Sequence, residues 1–183
     1  MKKALLVIDV QNEYFSGALP ITYPQGSFNN ILKAMEAAKK NNILVIALQH
    51  TDPNRGSSAF VRGSLEWELH EEVKKAGFDY LIEKNMPGSF TGTKLEEVLR
   101  ENEIKKVAVC GYMTQMCCDT TARQASHLGF KVNFLSDSTG TLSIKNNAGE
   151  VEAEELHKSI LVTQAMGFSE VVTTDEWVSS LKE

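Results

Sequence analysis

The sequence ALLVID at Ala4–Asp9 places five apolar residues directly before a carboxylate. A second run, ILVIALQ at Ile43–Gln49, is equally apolar and also ends in a polar residue. Runs rich in Val, Ile and Leu without polar alternation are typical of β-strands that are covered on both faces. Such strands form parallel sheets, whose connections cross over through helices. These two stretches therefore predict a parallel sheet with helices on both sides.

Strand-like and helix-like patterns alternate along the rest of the chain. The further predicted strands are Tyr80–Lys84, Lys106–Cys110, Lys131–Ser136 and Glu170–Thr173. The predicted helices are Phe28–Asn41, Thr93–Glu101, Thr114–Leu128, Ala148–Met166 and Asp175–Leu181. This alternation is typical of α/β proteins. We interpret residues 1–183 as one three-layer α/β/α domain around a six-stranded parallel sheet.

Composition and charge exclude several classes of protein. Hydrophobic residues make up 42% of the chain and charged residues 23%, which is typical of a globular domain. The net charge of −5 argues against a nucleic-acid-binding surface, and no apolar run approaches the roughly 20 residues of a membrane span. Asp9 interrupts the apolar N-terminal run too early for a signal peptide. With an odd number of cysteines (Cys110, Cys117 and Cys118), we expect a reducing, cytoplasmic location.

Three reactive side chains lie at or beyond the ends of predicted strands. Asp9 ends the first strand and Lys84 the third, whereas Cys117 lies seven residues beyond Cys110, which ends the fourth. The carboxyl ends of parallel strands point to the same edge of a sheet, where such sheets bind ligands. We therefore expect Asp9, Lys84 and Cys117 to meet there.

The chemistry of these three side chains suggests a cysteine nucleophile. A thiol attacks as the thiolate, which helix N-terminal amides and a nearby Lys84 ammonium would stabilise. Asp9 can take the thiol proton and return it to a leaving amine. The structural alternative makes Asp9 a cap or an ion-pair partner of Lys84. Cys110 is interpreted as a core residue, because cysteine is often buried.

Four short motifs occur in order along the chain. They are DVQNEYF at Asp9–Phe15, EKN at Glu83–Asn85 with SFTGTKL at Ser89–Leu95, GYMTQMC at Gly111–Cys117, and GEV at Gly149–Val151 with AEELH at Ala153–His157. Together they resemble the isochorismatase-like cysteine hydrolases, the superfamily that includes nicotinamidases and N-carbamoylsarcosine amidases. The resemblance extends from Asp9 to about Trp177, nearly the whole chain.

The resemblance implies a catalytic triad of Asp9, Lys84 and Cys117. It also implies a cis peptide between Tyr112 and Met113, and an oxyanion hole formed by the amides of Met113 and Cys117. The implied strand order is 3-2-1-4-5-6, and members of this family commonly form homodimers or larger assemblies. In that order two strand spacings, roughly 10 Å, separate the third strand from the first. Lys84 must lean inward to bring its ammonium within roughly 4 Å of Asp9 or Cys117.

The chain departs from the family's nicotinamidases at their metal site. Those enzymes bind a metal through an Asp-x-His pair after the second strand, whereas this chain has the order Gln49-His50-Thr51-Asp52. The other histidines, His70, His127 and His157, lack convincing ligand spacing. We therefore predict no catalytic metal and no organic cofactor, which argues against nicotinamidase activity; whether a metal binds near His50 and Asp52 stays open.

Several residues are candidates for contacting a substrate. They are Phe15, Gln49, His50, Phe60, Trp67 and Tyr112, with Phe90 and Met113 as further apolar candidates. Gln49 and His50 either hydrogen-bond the substrate or brace a loop. Gln11 and Asn12 either orient Asp9 or hold the loop that follows it. The irregular segment 49–77, with Pro53, Gly56 and Gly63, is expected to lie over this edge of the sheet.

The function predicted from the sequence is cysteine-dependent hydrolysis of a C–N bond. The substrate would be a small non-peptide amide or ureido compound, cleaved through a thioester on Cys117. In the family that the chain resembles, isochorismatase itself has no cysteine at the position of Cys117. The presence of Cys117 therefore favours C–N cleavage. The alternatives are an isochorismatase-type hydrolase acting on another bond, a thiol redox protein using Cys117 and Cys118, and an inactive binding protein. Cys118 itself is interpreted as a small core residue.

Overall fold

Six strands form one parallel sheet in the computed structural model, which describes residues 1–54 and 58–181. The described residues contain eight strands: β1 Lys3–Ile8, β2 Leu44–His50, β3 Tyr80–Lys84, β4 Lys106–Tyr112, β5 Lys131–Gly140, β6 Ile144–Asn146, β7 Gly149–Val151 and β8 Glu170–Val172. The sheet order is β3-β2-β1-β4-β5-β8, and β6 and β7 form a separate antiparallel hairpin. The predicted order is therefore confirmed, with β8 in the sixth place.

Helices cover both faces of this sheet. They are α1 Ser27–Lys40, α2 Glu71–Ala76, α3 Leu95–Glu101, α4 Asp119–His127, α5 Ala153–Gly167 and α6 Thr174–Ser179. Apolar residues of α1, α2 and α6 form one core cluster with the sheet, and those of α3 and α4 form the other. The predicted three-layer architecture is confirmed. Across the described ranges, no helix is both long and apolar enough to cross a membrane.

β1 lies at the centre of the sheet and determines where the site forms. Leu6 and Ile8 face the α3–α4 layer, while Leu5 and Val7 face the α1 layer, as the two-residue period of a strand requires. β1 pairs with β2 on one side and β4 on the other. The residue that follows β1, Asp9, therefore emerges in the middle of the sheet edge.

The segment before α5 differs from the sequence prediction. The predicted helix Ala148–Met166 begins instead at Ala153, because residues 144–151 form the β6–β7 hairpin. The side chain of Asn146 accepts a hydrogen bond from the amide of Ala148, and Gly149 has a φ of 147°. A short polar turn with glycine at positive φ favours a hairpin over a helix start.

β4 and β5 both extend beyond their apolar runs. β4 continues to Tyr112 and β5 to Gly140, with a register shift between Val109 and Gly111. The prediction ended β5 at Ser136 because the next residues are polar. Their backbone groups nevertheless pair with β4, which lengthens the sheet edge beside the site.

Candidate active site

The three predicted catalytic side chains emerge from three different elements at one edge of the sheet. Asp9 directly follows β1, where its amide donates to the carbonyl of Leu48 at 3.0 Å. Lys84 is the last residue of β3. Cys117 lies in the turn after β4. The parallel order places all three at the carboxyl ends of the strands.

Lys84 brings the three side chains together. Its Nζ lies 2.7 Å from Oδ2 of Asp9 and 3.3 Å from Sγ of Cys117. The expected inward lean of Lys84 across β2 is thus present. Asp9 is fully buried, Lys84 is 1% exposed and Cys117 6% exposed. Charges that are removed from water to this extent are retained only with partners, and here Asp9 and Lys84 are paired.

The Lys84 ammonium has two further neighbours. It donates to the carbonyl of Met86 at 3.1 Å and lies 3.4 Å from Nδ1 of His50. Burial lowers the pKa of His50, and the positive charge of Lys84 lowers it further. A neutral His50 therefore presents an acceptor to Lys84.

Asp9 keeps hydrogen-bonding capacity in this arrangement. Among the described residues, neither of its carboxylate oxygens accepts a hydrogen bond of regular geometry, so its contact with Lys84 is an ion pair. Asp9 is nonetheless close enough to Cys117 to interact with its thiol. An acceptor beside a thiol is the arrangement that a general base requires.

Burial, Asp9 and Lys84 have opposing effects on the pKa of Cys117. Burial raises the pKa of the Cys117 thiol, the charge of Asp9 raises it further, and Lys84 only partly offsets these effects. Burial alone would lower the pKa of Lys84, but the charge of Asp9, and that of Cys117 in its thiolate form, raise it above its usual value. The resting site thus holds a neutral thiol between a carboxylate and an ammonium. Lys84 lowers the pKa of the thiol as expected, but desolvation outweighs this effect, so the thiol keeps a proton that Asp9 can take.

The turn that carries Cys117 has π-helical geometry. Residues Thr114–Cys118 form a π turn before α4, where the prediction had one continuous α-helix. The amide of Cys118 donates to the carbonyl of Met113 at 3.2 Å, five residues back. The preceding peptide between Tyr112 and Met113 is cis. Turns of this kind frequently occur at functional sites, and the Cys117 amide belongs to a first turn, where amides have no intrahelical acceptor.

A model of the isochorismatase family, the isochorismatase domain, matches residues 3–176. The chain belongs to the isochorismatase family. Nicotinamidase 3 of Arabidopsis thaliana is 34% identical over 97% of this chain and 88% of that protein. A solved structure from Burkholderia xenovorans LB400, which carries the isochorismatase name, is 43% identical with a TM-score of 0.95, covering 98% of this chain and 87% of that one. A cysteine hydrolase from Pseudomonas syringae pv. phaseolicola 1448A is 28% identical with a TM-score of 0.90, covering 99% and 92%.

These similarities confirm the family that the four motifs indicated, and they identify the chain as an isochorismatase-family hydrolase. The matched relatives share its fold over nearly their full length. The roles of individual side chains in this family member rest on the geometry of its own site.

Most of the apolar residues that were predicted to contact a substrate lie on the face of the sheet that α1 covers. Tyr112 is buried and its hydroxyl lies 3.2 Å from Oγ of Ser27. The ring of Phe15 lies 6.0 Å from that of Tyr112, and the ring of Phe60 lies 5.1 Å from His50. Trp67 donates from Nε1 to the hydroxyl of Thr51 at 2.7 Å; Met113 packs against the same cluster. These aromatic side chains form an apolar wall that begins at His50.

Phe90 lies on the other face. Its ring stacks on that of Phe130 at 6.1 Å, and both belong to the α3–α4 core cluster. Cys117 and Cys118 belong to this cluster too. Phe90 is therefore on the same side of the sheet as Cys117, opposite the other aromatic candidates.

The polar candidates that follow β1 and end β2 make bracing contacts. Gln49 donates from Nε2 to the carbonyl of Trp67 at 3.0 Å. Gln11 donates to the carbonyls of His50 and Trp67 at 2.9 and 2.7 Å, and accepts from the amide of His50 at 2.9 Å. Asn12 donates to the carbonyl of Leu65 at 2.9 Å. Gln11 and Asn12 thus hold the loop. Of the two roles predicted for Gln49, bracing the loop is the one for which the structure shows a contact.

Tyr14 is a site neighbour that the sequence reasoning missed. Its ring lies 5.4 Å from those of both Phe60 and Tyr112. Burial raises the pKa of Tyr14, and the charges of a Cys117 thiolate and of Asp9 raise it further, which places Tyr14 beside the triad. Its place in the first motif, five residues after Asp9, was the available signal.

The cysteines and potential metal ligands show no second reactive centre in the described part of the chain. All three cysteines are free and buried, and Cys118 is fully enclosed by the core. No group of three or more His, Cys, Asp or Glu side chains within the described ranges is arranged to hold a metal ion. The Asp52 carboxylate instead accepts from the amide of Asn54 at 2.8 Å. The ligand set of a nicotinamidase-type metal is therefore not assembled by these residues. Of the loop segment 49–77, residues 55–57, including Gly56, lie outside the described residues.

A surface cavity of about 910 Å³ opens at the opposite edge of the sheet. Lys2, Lys39, Asp79 and Asn102 are among its lining residues, and it lies at the amino ends of the strands, remote from Asp9. That cavity gathers no such reactive groups among these lining residues, whereas the converging side chains identify the triad edge as the candidate active site.

Proposed function

We propose that this isochorismatase-family hydrolase cleaves the C–N bond of a small non-peptide amide or ureido compound through a thioester on Cys117. The observation that carries the proposal is the contact of one buried ammonium, Lys84, with both Asp9 and Cys117. The names of two similar proteins, a nicotinamidase and a cysteine hydrolase, support amide chemistry and a cysteine nucleophile.

Formation of the thioester begins with a proton transfer. Because the resting thiol is neutral, Asp9 takes the Cys117 proton as the sulfur attacks the substrate carbonyl carbon. The amides of Met113 and Cys117 donate to the developing oxyanion. When the oxyanion collapses, the C–N bond breaks and the leaving nitrogen takes the proton from Asp9. The products of this half are the amine and a thioester on Cys117.

Hydrolysis of the thioester repeats the same steps with water. Asp9 takes a proton from water as its oxygen attacks the thioester carbonyl. Collapse of the second oxyanion releases the acid and the Cys117 sulfur, which recovers its proton from Asp9. Lys84 stays protonated throughout, because its raised pKa keeps a positive charge beside whichever neighbour is anionic. The proposed cycle needs neither an organic cofactor nor a metal.

The test is release of ammonia or amine from a panel of small amides and ureido compounds. Wild-type protein should turn over at least one substrate, and Cys117→Ala should reduce kcat/KM by at least about a thousandfold, as loss of a covalent nucleophile does. Cys118→Ala is the matched control and should keep most activity, because Cys118 is enclosed in the core.

The opposite pattern would overturn the assignment. Activity that survives in Cys117→Ala but disappears in Cys118→Ala would exclude Cys117 as the nucleophile. An activity that requires both Cys117 and Cys118 but does not require Lys84 would instead identify a redox protein. Trapping the Cys117 acyl adduct by mass spectrometry separates thioester chemistry from cleavage of another bond.

A further inference from the structure

His157, which the proposed reaction does not use, makes two hydrogen bonds from the buried side of α5. Its Nδ1 lies 2.8 Å from the hydroxyl oxygen of Thr114, and its Nε2 lies 2.9 Å from the carbonyl oxygen of Ser136. His157 is 4% exposed and Thr114 is fully buried. The rings of Tyr23 and His157 pack in a T-shaped arrangement, with their centroids 5.4 Å apart. Thr114 is the first residue of the π turn that ends at Cys118.

The partners of His157 determine its tautomer. A carbonyl oxygen only accepts, so Nε2 must carry a proton and donate to Ser136. Nδ1 is then an acceptor for the Thr114 hydroxyl proton. Burial lowers the pKa of His157, which favours this neutral form. The contact therefore has a fixed direction, from Thr114 to His157 to β5.

A second α5 side chain holds the other end of the same turn. Gln164 follows His157 by seven residues, two helical turns, and so lies on the same face. Its Nε2 donates to Oδ1 of Asp119 at 2.7 Å and to the carbonyl of Asp119 at 3.3 Å. Its Oε1 accepts from the hydroxyl of Ser169 at 2.6 Å. Gln164 is fully buried, and Asp119 directly follows the π turn.

We propose that α5 positions the π turn Thr114–Cys118, here called the nucleophile turn, from both ends. His157 holds it at Thr114, and Gln164 holds it at Asp119. His157 and Gln164 are positioning residues that act through the turn. The turn carries Cys117 and one proposed oxyanion donor, and the residue before it, Met113, carries the other. This assignment of a role in catalysis rests on the proposed function, whereas the mechanical claim does not.

The physical reason is that oxyanion donors act only at hydrogen-bond distance. A displacement of about 1 Å costs roughly a hundredfold in rate, and loss of one donor costs about 10²–10³. A π turn leaves more amides of its first turn without intrahelical partners than an α turn does. The π turn therefore has fewer hydrogen bonds of its own to hold it, and the contacts from α5 supply support from a neighbouring helix.

The experiment compares removal of one hydroxyl at two places. Thr114→Val removes the donor to His157, and Thr163→Val is the matched control, because Thr163 lies on α5 and donates at the same 2.8 Å to the carbonyl of Ser159. Gln164→Met loosens the other end, and Thr114→Ser restores the hydroxyl. Amide hydrogen exchange is measured in peptides that cover residues 112–120.

Thr114→Val and Gln164→Met should speed exchange in this segment at least tenfold, whereas Thr163→Val and Thr114→Ser should leave it near wild type. On any substrate that wild type hydrolyses, the two loosened variants should lose at least tenfold in kcat with KM changed less than twofold. Unchanged exchange in both variants would overturn the positioning role. Faster exchange with unchanged kcat would leave the mechanical link intact and overturn its catalytic role. If wild type hydrolyses nothing, the proposed function fails and the exchange data still decide the link.

Discussion

At the residue scale, neighbouring groups shift the pKa of the Cys117 thiol in opposite directions. Burial and the Asp9 carboxylate raise its pKa, while Lys84 at 3.3 Å lowers it. Because the raising effects dominate, the thiol is protonated at rest and Asp9 has a proton to remove. In the proposed reaction the sulfur is therefore activated only as it attacks the substrate, and a buried, protonated thiol is less prone to oxidation than a thiolate.

Replacement of Asp9 should separate nucleophile activation from thiol acidity. In Asp9→Asn the carboxylate charge that raises the Cys117 pKa is removed, so the pH dependence of iodoacetamide labelling should shift to lower pH. Turnover should nevertheless fall at least about a hundredfold, because the general base is lost.

The opposite substitution provides the control for that measurement. Lys84→Met removes the charge that lowers the Cys117 pKa, so its labelling should shift to higher pH. Intact mass measured in a Cys117→Ala background assigns the labelled thiol. A shift of both variants in the same direction would contradict the electrostatic account.

At the scale of elements, the close approach of β1 and β4 determines the site's geometry. Gly111 pairs with Ile8, the residue before Asp9, and has a φ of 115°. A Cβ on Gly111 would lie 2.0 Å from the carbonyl oxygen of Ile8, and only glycine avoids this overlap. The nucleophile turn and Asp9 are therefore brought together by backbone contact.

Gly111→Ala should consequently disrupt the junction of these two strands. We expect the free energy of unfolding to fall by more than about 3 kcal/mol, because rigid backbone atoms must move apart. Urea unfolding monitored by tryptophan fluorescence measures this change.

Gly129→Ala is the matched variant for that experiment. Gly129 also has a positive φ, of 86°, but no atom lies within 4 Å of its added Cβ. It should therefore cost only the left-handed backbone penalty, about 1–2 kcal/mol. Equal losses in the two variants would show that strain, and not the contact with Ile8, determines the effect.

For the whole molecule, three buried or half-buried histidines link stability to pH. Burial lowers the pKa values of His50, His70 and His157 below the ordinary value of 6.5. Below about pH 6.5 the unfolded chain therefore binds protons that the folded chain does not. Stability is present above this pH and is lost as the pH falls towards the folded-state pKa values.

The melting temperature should accordingly decrease from pH 7 to pH 5 at constant ionic strength. His70→Asn should reduce this pH dependence, because it removes one of the titrating groups. Asparagine is chosen because it keeps an acceptor for the Glu72 amide, which donates to Nδ1 of His70. Differential scanning calorimetry at several pH values provides the measurement. An unchanged slope in His70→Asn would remove His70 from the explanation.

Much of the fold was predictable from local patterns. The apolar runs located the six strands of the main sheet, since strands buried on both faces need consecutive apolar residues. The β6–β7 hairpin and the extension of β5 to Gly140 were missed, because backbone pairing and not side-chain hydropathy holds them. The π turn at Thr114–Cys118 was missed for a similar reason: its sequence is compatible with an ordinary helix start.

The sequence by itself determined which reactive side chains stand at the strand ends, and its four motifs indicated the family. Only the tertiary structure decided that Lys84 crosses β2 to reach Asp9 and Cys117, that Tyr14 joins them, and that the resting thiol is neutral. The physical reason is one of range. Strand patterns follow from neighbours along the chain, whereas distances and desolvation between Asp9 and Cys117 depend on the packing of the whole sheet and its helices.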